Sequence, residues 1–127
     1  MGTGFSFASN QYKIEVGNKE YFIDLLFYHT KLHSYIVVEL KNTEFKPEYT
    51  GKVNFYLSAV DDLVKSEQDN SSIGLILCRE KDKISVEYAL KDVNKPIGVS
   101  SYEISKLLPK DILKELPTEE DLNLHIE

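Results

Sequence analysis

Three charged residues, Asp24, Glu39 and Lys41, stand inside or at the end of two apolar segments. Asp24 lies in the middle of an aromatic-rich run at 21–28, and Glu39 and Lys41 end the next apolar run at 35–41. A charged group within an apolar strand loses hydration energy unless it is paired or binds a metal ion. Two carboxylates can hold Mg²⁺ or Mn²⁺ together with waters and phosphate oxygens, and an ammonium can stabilise charge on a phosphate. This set therefore predicts metal-dependent hydrolysis of a phosphodiester.

Each residue of the set has a predicted role. Asp24 and Glu39 would be metal ligands, and the backbone carbonyl of Leu40 would add a third protein oxygen. Lys41 would orient the attacking water, stabilise the pentacovalent phosphate and reduce the repulsion between the two acids. The spacing alone arises often by chance, and the alternative is a structural ion pair in which Asp24 accepts from Lys41 or from a backbone amide. Placement inside apolar strands favours the catalytic interpretation.

Hydrophobic periodicity predicts the elements that must position these residues. Residues 11–16, 20–28 and 34–41 are predicted strands joined by short turns, which favours an antiparallel meander. The spacing changes to 3.6 residues over 49–65, as in an amphipathic helix, and a continuous apolar strand follows at 73–78. A right-handed crossover would place that strand parallel to the third.

The remaining predicted elements are a fifth strand at 84–90, a loop at 94–98, and short helices at 107–116 and 118–124. The fold class is therefore α/β, a mixed five-stranded sheet in sequential order that ends in a hairpin and has flanking helices. The long helix covers one face of this sheet. The C-terminal helices, sequence missing upstream or a second subunit would have to cover the other.

Register decides whether the acids meet. Side chains alternate along a strand, so Glu39 and Lys41 should share a face. Asp24 should share its face with three residues of its own strand: Phe22, Leu26 and Tyr28. If the second and third strands pair through the turn at 30–33, Asp24 lies near Glu39, whereas a slip of one residue would place them on opposite faces.

Five further residues are secondary candidates. Lys52 is predicted to bind the phosphate, and Tyr56 lies one helical turn away; alternatively, Lys52 is a solvated flanking residue and Tyr56 belongs to the core. Gln11 and Glu15 on the first strand could assist the metal or the water, or could be outward polar residues of an edge strand. His29 could bind metal, although a surface turn histidine is the more common case.

Composition limits the class of protein. A chain of 127 residues with 42% hydrophobic and 28% charged residues fits one globular domain. The single cysteine, Cys78, excludes an intramolecular disulfide, and a cysteine-based zinc site would need several such ligands. No stretch approaches the roughly 20 apolar residues of a membrane span, and the first residues lack the pattern of a secretory signal. We therefore expect a soluble cytoplasmic protein without a membrane partner.

Charge is unevenly distributed along the chain. The net charge of −6 argues against capture of nucleic acid by overall charge. Residues 1–60 are balanced, with six Lys and six Asp or Glu, while residues 61–127 carry nine basic and fifteen acidic groups. A bound cation would neutralise the acids of the first part and leave a local positive field of lysines: Lys31, Lys41, Lys46 and Lys52.

The same segments carry a family resemblance over nearly the whole chain. They are residues 22–29 (FIDLLFYH), 37–41 (VVELK), 45–49 (FKPEY), 51–58 (GKVNFYLS), 74–78 (GLILC), 87–90 (EYAL) and 95–100 (KPIGVS). In these motifs the chain resembles the YhcG-like bacterial family of PD-(D/E)XK nuclease domains. The resemblance implies a restriction-endonuclease-like fold in which Asp24, Glu39 and Lys41 match the catalytic acid, acid and lysine.

The resemblance also implies partners. In that family the nuclease domain is the C-terminal half, behind a helical N-terminal domain thought to bind DNA, so residues 1–127 would be a single excised or truncated nuclease domain. The expected activity is that of a Mg²⁺-dependent endodeoxyribonuclease acting on duplex or branched DNA. The alternative is a non-catalytic module that keeps the fold for nucleic-acid binding or self-association. A homodimer is a further prediction, because an uncovered sheet face would pack against a second subunit.

Overall fold

The structure is a computed structural model that describes residues 5–101. Its elements, in chain order, are β1 (Phe5–Val16), β2 (Lys19–His29), β3 (Ser34–Glu44), α1 (Glu48–Leu63), β4 (Ile73–Glu80), α2 (Lys83–Leu90) and β5 (Ile97–Ser101). The five strands form one sheet in sequential order; β1, β2 and β3 are antiparallel, and β3, β4 and β5 are parallel. The predicted meander and the helical crossover to a parallel strand are confirmed. Neither described helix is long and apolar enough to cross a bilayer.

The end of the sheet differs from the sequence prediction. Residues 84–90 lie in helix α2, and the fifth strand is β5, parallel to β4, so the predicted final hairpin is wrong. The loop predicted at 94–98 is confirmed for residues 94–96, whereas residues 97–98 belong to β5. Asp82 caps α2 by accepting from the N–H groups of Ile84 and Ser85. Three residues of α2 at helical spacing pack against the core: Val86, Ala89 and Leu90. The predicted helices at 107–116 and 118–124 lie outside the described residues.

Both faces of the sheet carry buried apolar side chains. Helix α1 packs on one face, where Val53, Leu57 and Val60 contribute to a cluster that includes Val37 and Ile76. A second cluster is formed by side chains of β2, β3 and β4: Leu25, Phe27, Ile36, Val38, Ile73, Leu75 and Leu77. Burial on both faces explains why β3 and β4 are continuous apolar runs instead of alternating ones.

Strand β2 changes face at Asp24. Ile23 and Leu26 belong to the cluster on the α1 side, whereas Leu25 belongs to the second cluster. Strict alternation cannot put residues three apart on one face, so the strand rotates between them. The prediction of one face for Phe22, Asp24 and Leu26 is therefore wrong, because Phe22 and Leu26 lie on opposite sides of the sheet: Phe22 is 46% exposed, while Ile23 and Leu26 are buried in the cluster on the α1 side.

Strand β1 turns together with β2. Ser9 pairs with Leu26 and Tyr12 pairs with Ile23, so Ser9 and Tyr12 lie on the α1 side although they are three residues apart. Gln11 lies between them with a φ of 47°. The described pairing of β2 with β3 extends only to Leu25 and Val38. The β1–β2 ribbon thus turns away from β3 at Gln11 and Asp24 and leaves a notch at the edge of β3.

Candidate active site

Asp24 and Glu39 meet in this notch. They are the next residues after the last β2–β3 pair, Leu25 with Val38. The N–H of Asp24 donates to Glu39 Oε2 at 3.3 Å, and Asp24 Oδ2 accepts from the N–H of Leu40 at 2.8 Å. The short turn between β2 and β3 therefore sets a register in which the two acidic side chains are neighbours.

Two ammonium groups face the buried carboxylate of Glu39. Its Oε1 lies 3.3 Å from Lys52 Nζ and 3.8 Å from Lys41 Nζ, and its side chain is 1% exposed. Burial raises the pKa of Glu39, the charge of Asp24 raises it further, and the Asp24 N–H and Lys52 oppose this rise. Burial would lower the pKa of Lys52, but Glu39 and Tyr56 together outweigh burial, and the net direction is upward. The carboxylate is thus held where added positive charge is stabilising.

Tyrosine rings support both lysines. Lys41 Nζ lies 5.1 Å from the centre of the Tyr49 ring, and Lys52 Nζ lies 5.8 Å from that of Tyr56. Tyr56 is 3% exposed and donates its hydroxyl to the carbonyl of Phe22 at 3.1 Å, so it belongs to the core while lying beneath Lys52. Lys52 keeps a 46% exposed side chain but is ion-paired, so it is more than a solvated flanking residue.

The donor atoms of the notch fit a hard divalent cation. Both carboxylates supply oxygen, and the buried Oε1 of Glu39 lies near the ammonium groups of Lys41 and Lys52 without a hydrogen-bond partner of good geometry among the described residues. The N–H and C=O of one strand residue point to the same side, so the Leu40 carbonyl faces β2, as its N–H does. Within residues 5–101 no group of three or more His, Cys, Asp or Glu could hold a metal. Mg²⁺ needs only one or two carboxylates beside waters, so Asp24, Glu39 and the Leu40 carbonyl fit Mg²⁺ or Mn²⁺.

A family model described as the YhcG PDDEXK nuclease domain matches residues 1–117. The chain belongs to this family. A curated relative of the YhcG nuclease domain is "Putative nuclease YhcG" from Escherichia coli (strain K12), with 29% identity over 116 residues. That match covers 91% of this chain but 31% of the relative, so the chain spans about a third of the relative's length.

Two solved structures show the fold of the YhcG domain. A repair endonuclease from Pyrococcus abyssi superposes with a TM-score of 0.56 at 13% identity, over 80% of this chain and 39% of that one. The structure described as an EndoMS–dsDNA2 complex gives a TM-score of 0.60 at 14% identity, over 82% and 38%. The restriction-endonuclease-like fold is thereby confirmed.

Two of the secondary candidates, Gln11 and Tyr56, border the notch of the YhcG domain, whereas Glu15 and His29 lie away from it. Gln11 Nε2 lies 3.4 Å from Asp24 Oδ1, so Gln11 borders the notch, as Tyr56 does. Glu15 is farther along β1, 64% exposed and 3.7 Å from Lys13. His29 ends β2, five residues from Asp24 or about 17 Å along an extended strand.

His29 differs from the expectation of a surface histidine in a turn. It is fully buried, and its Nδ1 accepts from the N–H of Leu32 at 3.0 Å. Sequence reasoning also gave no role to Tyr49, whose ring contacts Lys41. The available signal was its position three residues before Lys52 on α1, since residues three apart share a helix surface.

Proposed function

We propose that this chain is a metal-dependent endonuclease domain that hydrolyses phosphodiester bonds of DNA. The observation that carries the proposal is the convergence of Asp24, Lys41 and Lys52 on the buried carboxylate of Glu39. A buried carboxylate such as that of Glu39 is expensive unless it is paired or serves a site, and three charged groups gather around it. Membership of the YhcG nuclease family supports hydrolysis, and the dsDNA in the name of the EndoMS complex supports DNA as the substrate class.

Each residue of the notch would have its own role in hydrolysis. Asp24, Glu39 and the Leu40 carbonyl hold Mg²⁺ or Mn²⁺, which when bound lowers the pKa of a coordinated water and offsets charge on the phosphate. Lys41, 22% exposed, holds and orients the attacking water and stabilises the pentacovalent phosphate. Lys52, whose side chain is 46% exposed, would bind phosphate oxygens that reach the notch from solvent.

The proposal also covers the substrate, an additional domain, the oligomeric state and the location of the protein. Duplex or branched DNA would be bound largely by a helical N-terminal domain, because the net charge of this chain is −6. The relative's greater length supports such an additional domain. Homodimerisation and a cytoplasmic location also stay predictions.

A cleavage assay on closed circular plasmid tests the proposal, because only an internal cut converts that DNA to nicked or linear forms. We expect cleavage that requires Mg²⁺ or Mn²⁺ and stops with a chelator. Lys41→Met should lower the rate by at least about 100-fold with an unchanged fold, because it removes a charge that acts on the transition state. Lys46→Met is the matched control, since Lys46 is exposed and the substitution changes net charge equally. Equal rates for the parent and Lys41→Met would contradict the role of Lys41.

One observation favours the alternative of a non-catalytic binding module. Two carboxylates and two ammonium groups already balance in the notch, so the site is electrically neutral without a cation. A thermal melt with added Mn²⁺ separates the two functions. A working site raises the melting temperature as metal is added, and a purely structural ion-pair network does not respond.

A further inference from the structure

We propose that Gln11 is a positioning residue that fixes the carboxylate of Asp24 for metal binding. The inference rests on the proposed function, because it concerns the same notch. Two independent features of Gln11 support it: its backbone conformation and the contact that its side-chain amide makes.

The backbone of Gln11 is strained. Its φ of 47° lies in the left-handed region, which a residue with a Cβ rarely adopts. The pairs on either side, Asn10 with Leu25 and Tyr12 with Ile23, keep one register, so Gln11 does not take up an inserted residue. Its conformation instead accompanies the turn of the β1–β2 ribbon. Glycine would make this turn without strain, so the turn alone does not explain a glutamine here.

The side chain of Gln11 supplies the other reason. Its Nε2 lies 3.4 Å from Asp24 Oδ1, while the N–H of Leu40 donates to Asp24 Oδ2. Rotation of a carboxylate about its last bond is soft, so one donor does not fix the plane of the two oxygens. Donors on both oxygens define that plane. A carboxylate held in this way offers its remaining lone pairs to a cation in a fixed direction. Hydrogen-bond partners of metal ligands commonly fix the ligand's orientation in this manner.

The test separates the effect of the Gln11 side-chain amide from the effect of its backbone strain. Gln11→Gly removes both the amide and the strain, whereas Gln11→Ala removes the amide and keeps the left-handed residue. The matched control is His33→Gly, because His33 is exposed, has a φ of 52° and lies in the turn between β2 and β3. Three quantities are measured for each variant: the melting temperature without metal, the Mn²⁺ concentration that gives half of the maximal melting shift, and plasmid cleavage.

We expect Gln11→Gly and His33→Gly to melt above the parent, because glycine relieves the strain, and Gln11→Ala to melt at or below it. Both Gln11 variants should require about 10-fold more Mn²⁺, the scale seen when a partner of a metal ligand is lost, while His33→Gly should match the parent. Cleavage by the Gln11 variants should fall at low Mn²⁺ and recover at saturation.

The positioning role fails if Gln11→Gly keeps the Mn²⁺ requirement of the parent, and cleavage by the parent would then leave the proposed function standing. If the parent cuts no DNA but its Mn²⁺ requirement depends on Gln11, the positioning role stands and the nuclease function fails. A parent that neither binds Mn²⁺ nor cleaves DNA overturns both.

Discussion

Replacement of Lys52 by Met tests the electrostatics of the notch, because Met keeps the apolar stem over Tyr56 and removes the charge. Lys52 Nζ lies 3.3 Å from Glu39 Oε1. Two unit charges at this distance attract by about 5 kcal/mol at an effective dielectric of about 20, and by about 1 kcal/mol in water. Since the Lys52 side chain is 46% exposed and Lys41 remains near Glu39, screening favours the lower end. We expect Lys52→Met to lower the free energy of unfolding by about 1–2 kcal/mol at pH 7.

The loss should depend on pH with a defined sign. Burial raises the pKa of Glu39 above its ordinary value, so the native state loses stability as pH rises through that folded pKa and Glu39 ionises. Lys52 reduces this loss, because it attracts Glu39 only in the ionised form. The difference between the parent and Lys52→Met should therefore be small near pH 4, where Glu39 is neutral in both, and grow toward pH 7.

Urea unfolding without metal at pH 4 and pH 7 measures this difference, and Lys46→Met controls for the change in net charge. A Lys52→Met protein as stable as the Lys46→Met protein at pH 7 would show that the Lys52–Glu39 pair contributes nothing. A loss of equal size at both pH values would show that packing, and not charge, is responsible.

Two further predictions concern the scaffold that holds the notch. Tyr28→Phe should lower the melting temperature at pH 7, because the Tyr28 hydroxyl donates to Asp69 at 2.6 Å and this bond lowers the pKa of Asp69. That stabilisation is present above the ordinary pKa of a carboxyl and is lost as pH falls through the lowered one, so a deficit in thermal melts that does not shrink as pH falls below the ordinary pKa would contradict it. Gly74→Ala should destabilise the fold by about 1–3 kcal/mol in urea unfolding, because its Cβ would lie 2.5 Å from Val53 Cγ1. Adding Val53→Ala should remove most of that clash, and full additivity of the two losses would count against it.

The sequence predicted most of the sheet and the meeting of the acids, because local signals determine both. Short turns leave few ways to connect β1, β2 and β3, and the period changes clearly at α1. Asp24 and Glu39 lie a similar number of residues before and after the short turn between β2 and β3, so antiparallel pairing brings them together. The Lys52–Glu39 contact was missed because it depends on how α1 docks, which no local pattern specifies.

Helix α2 shows where periodicity is ambiguous. Apolar side chains at alternate positions over residues 84–90 fit a strand: Ile84, Val86, Tyr88 and Leu90. The same segment also fits a helix, and the eight residues of α2 are short enough for either. The deciding signal was Asp82, whose carboxylate accepts from backbone N–H groups of the first turn.

The turn of the β1–β2 ribbon could not be predicted in the same way. Alternation assumes a regular strand, and it is interrupted by Gln11, a left-handed residue that is itself neither Gly nor Asn. The assignment of Phe22, Asp24 and Leu26 to one face followed from that assumption. Such a departure is expected where the backbone is arranged around a site.

Crystals soaked with Mn²⁺ and measured at a wavelength where manganese scatters anomalously test the central claim directly. We predict one peak about 2.1 Å from carboxylate oxygens of both Asp24 and Glu39 and its absence in an Asp24→Asn crystal. A peak that contacts neither carboxylate, or an empty notch in the parent at saturating Mn²⁺, would contradict the account.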